Sequence, residues 1–424
     1  MGASAQQAEM KAMLDRMASM KMNAIIFQVR PNADAVYQSR LEPWSHWISG
    51  TQGISPGYDP LAYCIQLAHA RGIEVHAWFN PFRALPNSKI PTASNHVVKT
   101  HPSMVRDFKN YKWMDPSNAF TQQRALSVIL DVVNRYDVDG IHIDDYFYPY
   151  PDVDSQGRAN PIFPDGKTPA ARRVATDAFV KAMYSRVKQK KPWVRVGISP
   201  FGIWRPGVPA NTTATIDAYH HLAADSRKWL QQGWCDYLSP QLYWRIKSPQ
   251  SFSRLIAWWR SQGTRPVWPG IASARINSSE DPGRRASEIA NQVSLTRTVG
   301  KNYVGHVFWS MKSLMTNKGG ISNELVKKFY QEPALVPPMP WSSRNLPQTP
   351  NVLAKGSNGN LDVVWRPVPG CSQYAIQARI GRTWRLITVA RGTKMTLKGL
   401  PDAIAVSAVD RYGNTSNPRV LARP

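Results

Sequence analysis

Asp139-Gly140-Ile141-His142-Ile143-Asp144-Asp145-Tyr146-Phe147-Tyr148-Pro149 reads as a strand that stops in two consecutive carboxylates and then an aromatic loop. Side chains alternate along a strand, so His142 and Asp144 share one face and Ile141 and Ile143 the other. The isoleucine face calls for helices packed over it. The imidazole and carboxylate face calls for a polar interior or the mouth of a barrel. Acid-catalysed chemistry on a parallel α/β scaffold needs such an arrangement.

The same strand-and-helix rhythm runs outward in both directions. Helical patterns over residues 6–20, 59–71, 121–135, 169–189, 223–232, 250–262 and 284–299 alternate with apolar strands. Those strands are placed at residues 23–31, 73–81, 139–145, 194–200, 236–244, 267–272 and 304–310. Alternation of this kind predicts a parallel sheet with crossover helices, a TIM-type (β/α)8 barrel in the α/β class. About seven strands are visible where a closed barrel takes eight. The first visible element is a helix, so the opening strand is the one expected to be missing.

Residues 1–332 are assigned to the barrel. A proline-rich linker follows over 333–350, since Pro337-Pro338-Met339-Pro340 resists both helix and sheet. Beyond it, 361–365, 373–379, 384–387 and 404–410 are short alternating strands punctuated by turn residues. A small β-sandwich over 351–424 is expected there. Trp365-Arg366-Pro367-Val368-Pro369-Gly370 and Val409-Asp410-Arg411-Tyr412-Gly413-Asn414 resemble a fibronectin type III module, which implies a spacer or binding role.

The chain has 424 residues, 53 Lys plus Arg against 28 Asp plus Glu, and a formal net charge of +25. Such a balance suggests anionic partners, nucleic acid first. The basic residues are scattered, however, with one compact run at Lys188-Gln189-Lys190-Lys191, and no nucleic-acid-binding motif accompanies them. A polyanionic cell envelope fits equally well, and no specific nucleic-acid partner is expected. No apolar run approaches the ~20 residues of a membrane span. The three cysteines, Cys64, Cys235 and Cys371, have neither metal-ligand spacing nor an evident pairing, and no cofactor or metal is expected.

On parallel barrels the active site lies at the carboxyl ends of the strands. Those ends carry Gln28 and Arg30; His76, Trp78, Asn80 and Arg83; His142, Asp144, Asp145 and Tyr146; Ser199 and Trp204; Gln241, Tyr243 and Trp244; and Trp309. No nucleophile elbow, phosphate-binding glycine loop or zinc-protease motif is present. Carboxylates, amides and indoles instead suit cleavage of a sugar link, in which aromatic faces pack on pyranose rings and amides bind hydroxyls. Asp144 is assigned as nucleophile or oxocarbenium stabiliser and Asp145 as general acid. The alternatives stay open: one aspartate caps the loop or pairs with an arginine, the pair binds calcium, His142 is a satisfied interior histidine, and Arg30 and Arg83 are surface charges. The tryptophans, Trp44, Trp47 and Trp113 among them, could equally be core. Asp225 is an N-cap by position and could also supply the second carboxylate, because no glutamate ends a strand.

At these residues the chain resembles the glycosyl-hydrolase-like 10 family. The likeness is carried by Phe27-Gln28-Val29-Arg30-Pro31, Pro56-Gly57-Tyr58-Asp59-Pro60-Leu61, His76-Ala77-Trp78-Phe79-Asn80-Pro81-Phe82-Arg83 and Val138-Asp139-Gly140 through Tyr148. It continues in Gly197-Ile198-Ser199-Pro200-Phe201-Gly202-Ile203-Trp204 and Ser239-Pro240-Gln241-Leu242-Tyr243-Trp244. The resemblance implies a TIM-like barrel that cleaves peptidoglycan glycan strands, chiefly strands stripped of their stem peptides. It further implies an exported, often lipid-anchored, envelope protein with cell-division or envelope proteins as partners. The family's opening strand and its lipidation cysteine are absent. A glycan-binding envelope protein with the same cleft and no turnover is the rival expectation.

Overall fold

The computed structural model describes residues 2–299 and 304–422. Seven parallel strands occur in chain order: β1 (Ala24–Arg30), β2 (Glu74–Phe79), β3 (Gly140–Ile143), β4 (Arg195–Ile198), β5 (Tyr237–Leu238), β6 (Gly270–Ile271) and β7 (Val307–Phe308). The first five form one sheet in sequence order, and β6 pairs with β7. Bridges Leu238↔Val267 and Gln241↔Gly270 join β5 to β6. Helices lie between the strands, including α1 (Ala3–Ser19), α2 (Pro60–His69), α3 (Ala119–Arg135), α4 (Pro169–Lys190), α5 (Ser226–Gln231), α6 (Phe252–Ser261) and α7 (Ala286–Val299). The result is the TIM-type α/β arrangement, with the seven strands that alternation places in the sequence. Among the described residues β7 does not pair with β1. The middle strands β3 and β4 are wholly buried, whereas β7 and most of β1 are half-buried.

Three local departures have physical causes. The strand expected over 236–244 shortens to Tyr237–Leu238 because Pro240 has no N–H for the ladder. The helix expected over 223–232 starts only at Ser226 and ends at Gln231, because Ala223 turns left-handed at φ +51°, and a separate short helix, Ala218–His221, precedes that turn. The stretch after β2, where the sequence shows neither a helical nor a strand pattern before residue 121, holds a three-stranded antiparallel sheet of Arg83–Leu85, Tyr111–Met114 and Val105–Phe108.

The described residues 333–350 form neither helix nor strand. After them, among the described residues, come seven antiparallel strands: β8 (Val352–Ser357), β9 (Asn360–Trp365), β10 (Cys371–Ile380), β11 (Thr383–Ala390), β12 (Lys394–Lys398), β13 (Ala403–Asp410) and β14 (Arg419–Ala422). They make sheets of three, β8-β9-β12, and four, β11-β10-β13-β14, in a fibronectin III-like sandwich. Val363, Trp365, Tyr374, Ile376, Ile404 and Val406 fill its core. Strands β8, β12 and β14 escape a search for alternation because they are exposed edges carrying Lys355, Lys394, Lys398 and Arg419. The last two residues of the expected domain lie outside the described residues.

The chain forms two compact units. One comprises Met1–Met10, Ile26–Cys64 and His76–Glu324; the other, Lys11–Ile25, Ile65–Val75 and Leu325–Pro424. Within the second, Arg71 is ion-paired to Asp15 at 2.6 Å and Asn23 donates to the Ala334 carbonyl at 3.0 Å. Cys64 and Cys235 are buried thiols.

Candidate active site

The floor of the site is a layer of rings inside the barrel. Tyr237 on β5 places its hydroxyl 2.7 Å from His76 Nδ1 and 3.0 Å from His142 Nδ1. One hydroxyl carries one proton, so it donates to one imidazole and accepts from the other. Glycines make the space: a Cβ on Gly140 would come 2.8 Å from the His76 ring, and one on Gly197 2.0 Å from the Tyr237 ring. Burial, and secondarily the neighbouring His76, lowers the pKa of His142 to about 3, so the ring is neutral. His76 and His142 are therefore buried in this interior layer, each bound through Nδ1 to the Tyr237 hydroxyl, and not in the aspartate network where they were expected as substrate contacts.

Above this layer β3 ends, and Asp144 and Asp145 follow. Asp144 Oδ1 accepts the Asp145 backbone N–H at 2.9 Å and the Gln241 side-chain amide at 3.1 Å. The two carboxyl groups are hydrogen-bonded to each other, and Asp145 Oδ2 accepts the Tyr150 hydroxyl. Among the described residues neither has a cation within ion-pair distance. Burial and then the charge of Asp145 raise Asp144 well above the usual carboxylate range. Asp145 is raised too, by burial, but Asp144, Tyr150 and Gln241 each stabilise its ionised form. A pair of this kind holds one proton between its members, and the environment puts that proton on Asp144. Because Oδ1 already accepts two N–H bonds, Oδ2 is the atom that carries it.

Aromatic rings surround the pair. Trp113, Tyr146, Tyr150, Phe201 and Trp244 run in a chain with centroid separations of 6.0, 5.9, 6.3 and 5.7 Å, the first contact tilted and the other three edge to face. Trp78 meets Trp309 at 5.8 Å, and Trp309 is 47% exposed. Burial, followed by the charges of both aspartates, raises Tyr146 to about 12 and Tyr243 further. Arg83 lies 5.0 Å over the Tyr146 ring, and its charge opposes the rise of Asp144. Asp144, Asp145, Tyr146, Arg83, Gln241 and Tyr243 thus form one cluster, with Trp244 at the end of its aromatic chain.

Other expected site residues fall elsewhere. Arg30 is fully buried and bidentate to Glu42, with Nε–Oε2 at 2.8 Å and Nη2–Oε1 at 2.6 Å, and its third contact is the Asn80 carbonyl. It ties β1 to its own loop and cannot meet a substrate. Asn80 is likewise buried, donating to the Pro31 carbonyl at 3.2 Å. Asp225 caps α5 through the Lys228 N–H and accepts the Trp204 indole at 3.1 Å, so it is not the second carboxylate of the pair. Gln28 is half-buried on β1, outside the aspartate network. Trp113 is core, donating to the Phe147 carbonyl at 3.1 Å, while Trp47 is exposed. Sequence reasoning missed Tyr150, Phe201 and Glu42. The spacing of Tyr146, Tyr148 and Tyr150 was a signal for the first, although Tyr148 itself turns inward against Phe163. Nothing in the sequence marked Glu42. Among the described residues no group of three metal-ligating side chains occurs.

A parallel α/β barrel with twin buried carboxyls and an aromatic wall at its strand ends belongs to the glycosyl hydrolase-like class. The chain is a member of the glycosyl hydrolase-like 10 family, whose profile matches residues 3–282. It is 37% identical over 383 residues to glycosyl hydrolase YngK of Bacillus subtilis, covering 84% of this chain and 73% of that protein. To glycosyl hydrolase DigH of Escherichia coli it is 34% identical over 276 residues, covering 60% of this chain and 62% of that one. The glycoside hydrolase domain of PgaB from Bordetella bronchiseptica superposes with a TM-score of 0.49 at 12% identity, over 75% of this chain and 92% of that one.

Proposed function

We propose that this protein is a glycoside hydrolase of the bacterial cell envelope that cuts peptidoglycan glycan strands, chiefly strands free of stem peptides. The observation that carries the reading is the proton-sharing Asp144–Asp145 pair, set beside rings and, among the described residues, without an ion-paired cation. Asp144, holding the proton on Oδ2, is the general acid toward the glycosidic oxygen. Asp145 remains ionised to meet the positive charge that develops on the sugar. This exchanges the roles assigned from alternation along the strand. Trp78, Trp309, Trp244 and Tyr146 offer faces for pyranose rings, Arg83 faces an anionic substituent, and Gln241 and Tyr243 border the bond to be cut. The net charge of +25 suits an anionic wall polymer, and envelope or cell-division proteins are the partners to seek.

The test is release of reducing ends from purified denuded strands. Wild-type protein is expected to release them, and Asp144→Asn to lose about 100- to 10,000-fold of the rate, the usual worth of a general acid. Binding of strands to that variant should persist. Wild-type protein that binds strands across pH 4–9 yet cuts none would be a glycan-binding envelope protein instead.

A further inference from the structure

Glycosidases that rely on two protein carboxyls keep them about 5–5.5 Å apart when one attacks the sugar, and about 6.5–9.5 Å apart when one activates water. Asp144 and Asp145 are successive residues at the end of one strand, and their carboxyl groups interact directly with each other. They therefore approach a sugar from the same side and cannot flank its anomeric carbon. Asp225, the other carboxylate that the sequence offers for this role, is committed to the Trp204 indole and its helix cap. Among the described residues the partners of this acid pair are Gln241 and Tyr150, and no further carboxyl group joins them to serve as a nucleophile from the opposite side.

We infer that the substrate supplies that nucleophile. The sugar held at Asp144 and Asp145 is a 2-acetamido sugar whose own carbonyl oxygen attacks the anomeric carbon. This rests on the hydrolase reading above and names the bond's donor sugar as an N-acetylhexosamine. In the first step Asp144 Oδ2–H protonates the leaving oxygen and the C1–O bond breaks. The acetamido oxygen bonds to C1, and Asp145 takes the amide proton, giving a neutral bicyclic oxazoline. In the second step Asp144, now ionised, accepts a proton from water as the water oxygen bonds to C1. The oxazoline C1–O bond opens and Asp145 returns the proton to nitrogen. One water is consumed and the configuration is retained. Tyr150, donating to Asp145, positions that carboxylate toward the amide and keeps it ionised.

Denuded strands are prepared in three forms: intact, de-N-acetylated, and re-acylated with trifluoroacetyl groups. Fluorine withdraws electrons from the carbonyl oxygen while leaving the N–H and overall shape. Substrate assistance predicts that intact strands are cut, that the de-N-acetylated form is inert, and that the trifluoroacetyl form is bound but cut more than 100-fold slower. Cleavage of all three at rates within threefold overturns the inference and leaves the hydrolase reading standing. Failure to cut even intact strands overturns both.

Discussion

Asp144 gains its chemistry at a cost in stability. Its folded-state pKa is raised above the ordinary ~3.9 of an unfolded aspartate. The folded protein thus holds a proton that the unfolded chain releases, and stability falls as pH rises from the unfolded value through the folded one. Asp144→Asn removes the titration, so its melting temperature is expected to exceed wild type at pH 7–8. Well below the unfolded value of ~3.9, where both states are protonated, the gain should vanish; an equal gain there and at pH 7–8 would refute the assignment of the proton. Elsewhere, Arg30 shows how one residue type serves two ends. An arginine after a buried strand reads as an anion anchor, and it is one, but its anion is Glu42. Glu42→Gln leaves the guanidinium buried without its counter-ion, a loss of roughly 3–5 kcal/mol in urea unfolding.

Strands β2, β3, β4 and β5 succeed as a unit because small and large interior residues face each other across them. His76 lies opposite Gly140, and Gly197 lies opposite both His142 and Tyr237. Gly197→Ala would push a methyl into the Tyr237 ring, and overpacking of this sort costs about 1–3 kcal/mol. Urea unfolding should register that loss, together with reduced activity as Tyr237 is displaced; a stable variant would show that the ring layer is looser than described. The alternation of strand and helix patterns located every one of these strands, because each strand has apolar residues packed under the helices that flank it in sequence. Their ends were less legible. Where Pro240 and Ala223 bend the chain, local backbone sterics decide the boundary and hydrophobic patterning is silent.

For the molecule as a whole, the excess of 53 cationic over 28 anionic side chains predicts salt-sensitive attachment to anionic wall material. Retention on purified sacculi is expected to fall steeply between 50 and 500 mM salt, in the wild type and in Asp144→Asn alike. Retention unchanged by salt would mean that binding rests on the cleft alone. Composition and hydrophobic period were sufficient to place the α/β repeat, the later β-sandwich and the twin aspartates at a strand end, since each depends on neighbours along the chain. Tertiary structure alone decided which polar residues are available. It buried Arg30, Asn80, His76 and His142 in internal bonds, withdrew Asp225 into a helix cap, and brought Gln241 and Tyr150 onto the aspartates. The physical reason is that proton placement and availability depend on burial and on partners far away in sequence, 97 positions for Gln241 and Asp144 and 161 for His76 and Tyr237, and no local pattern records them.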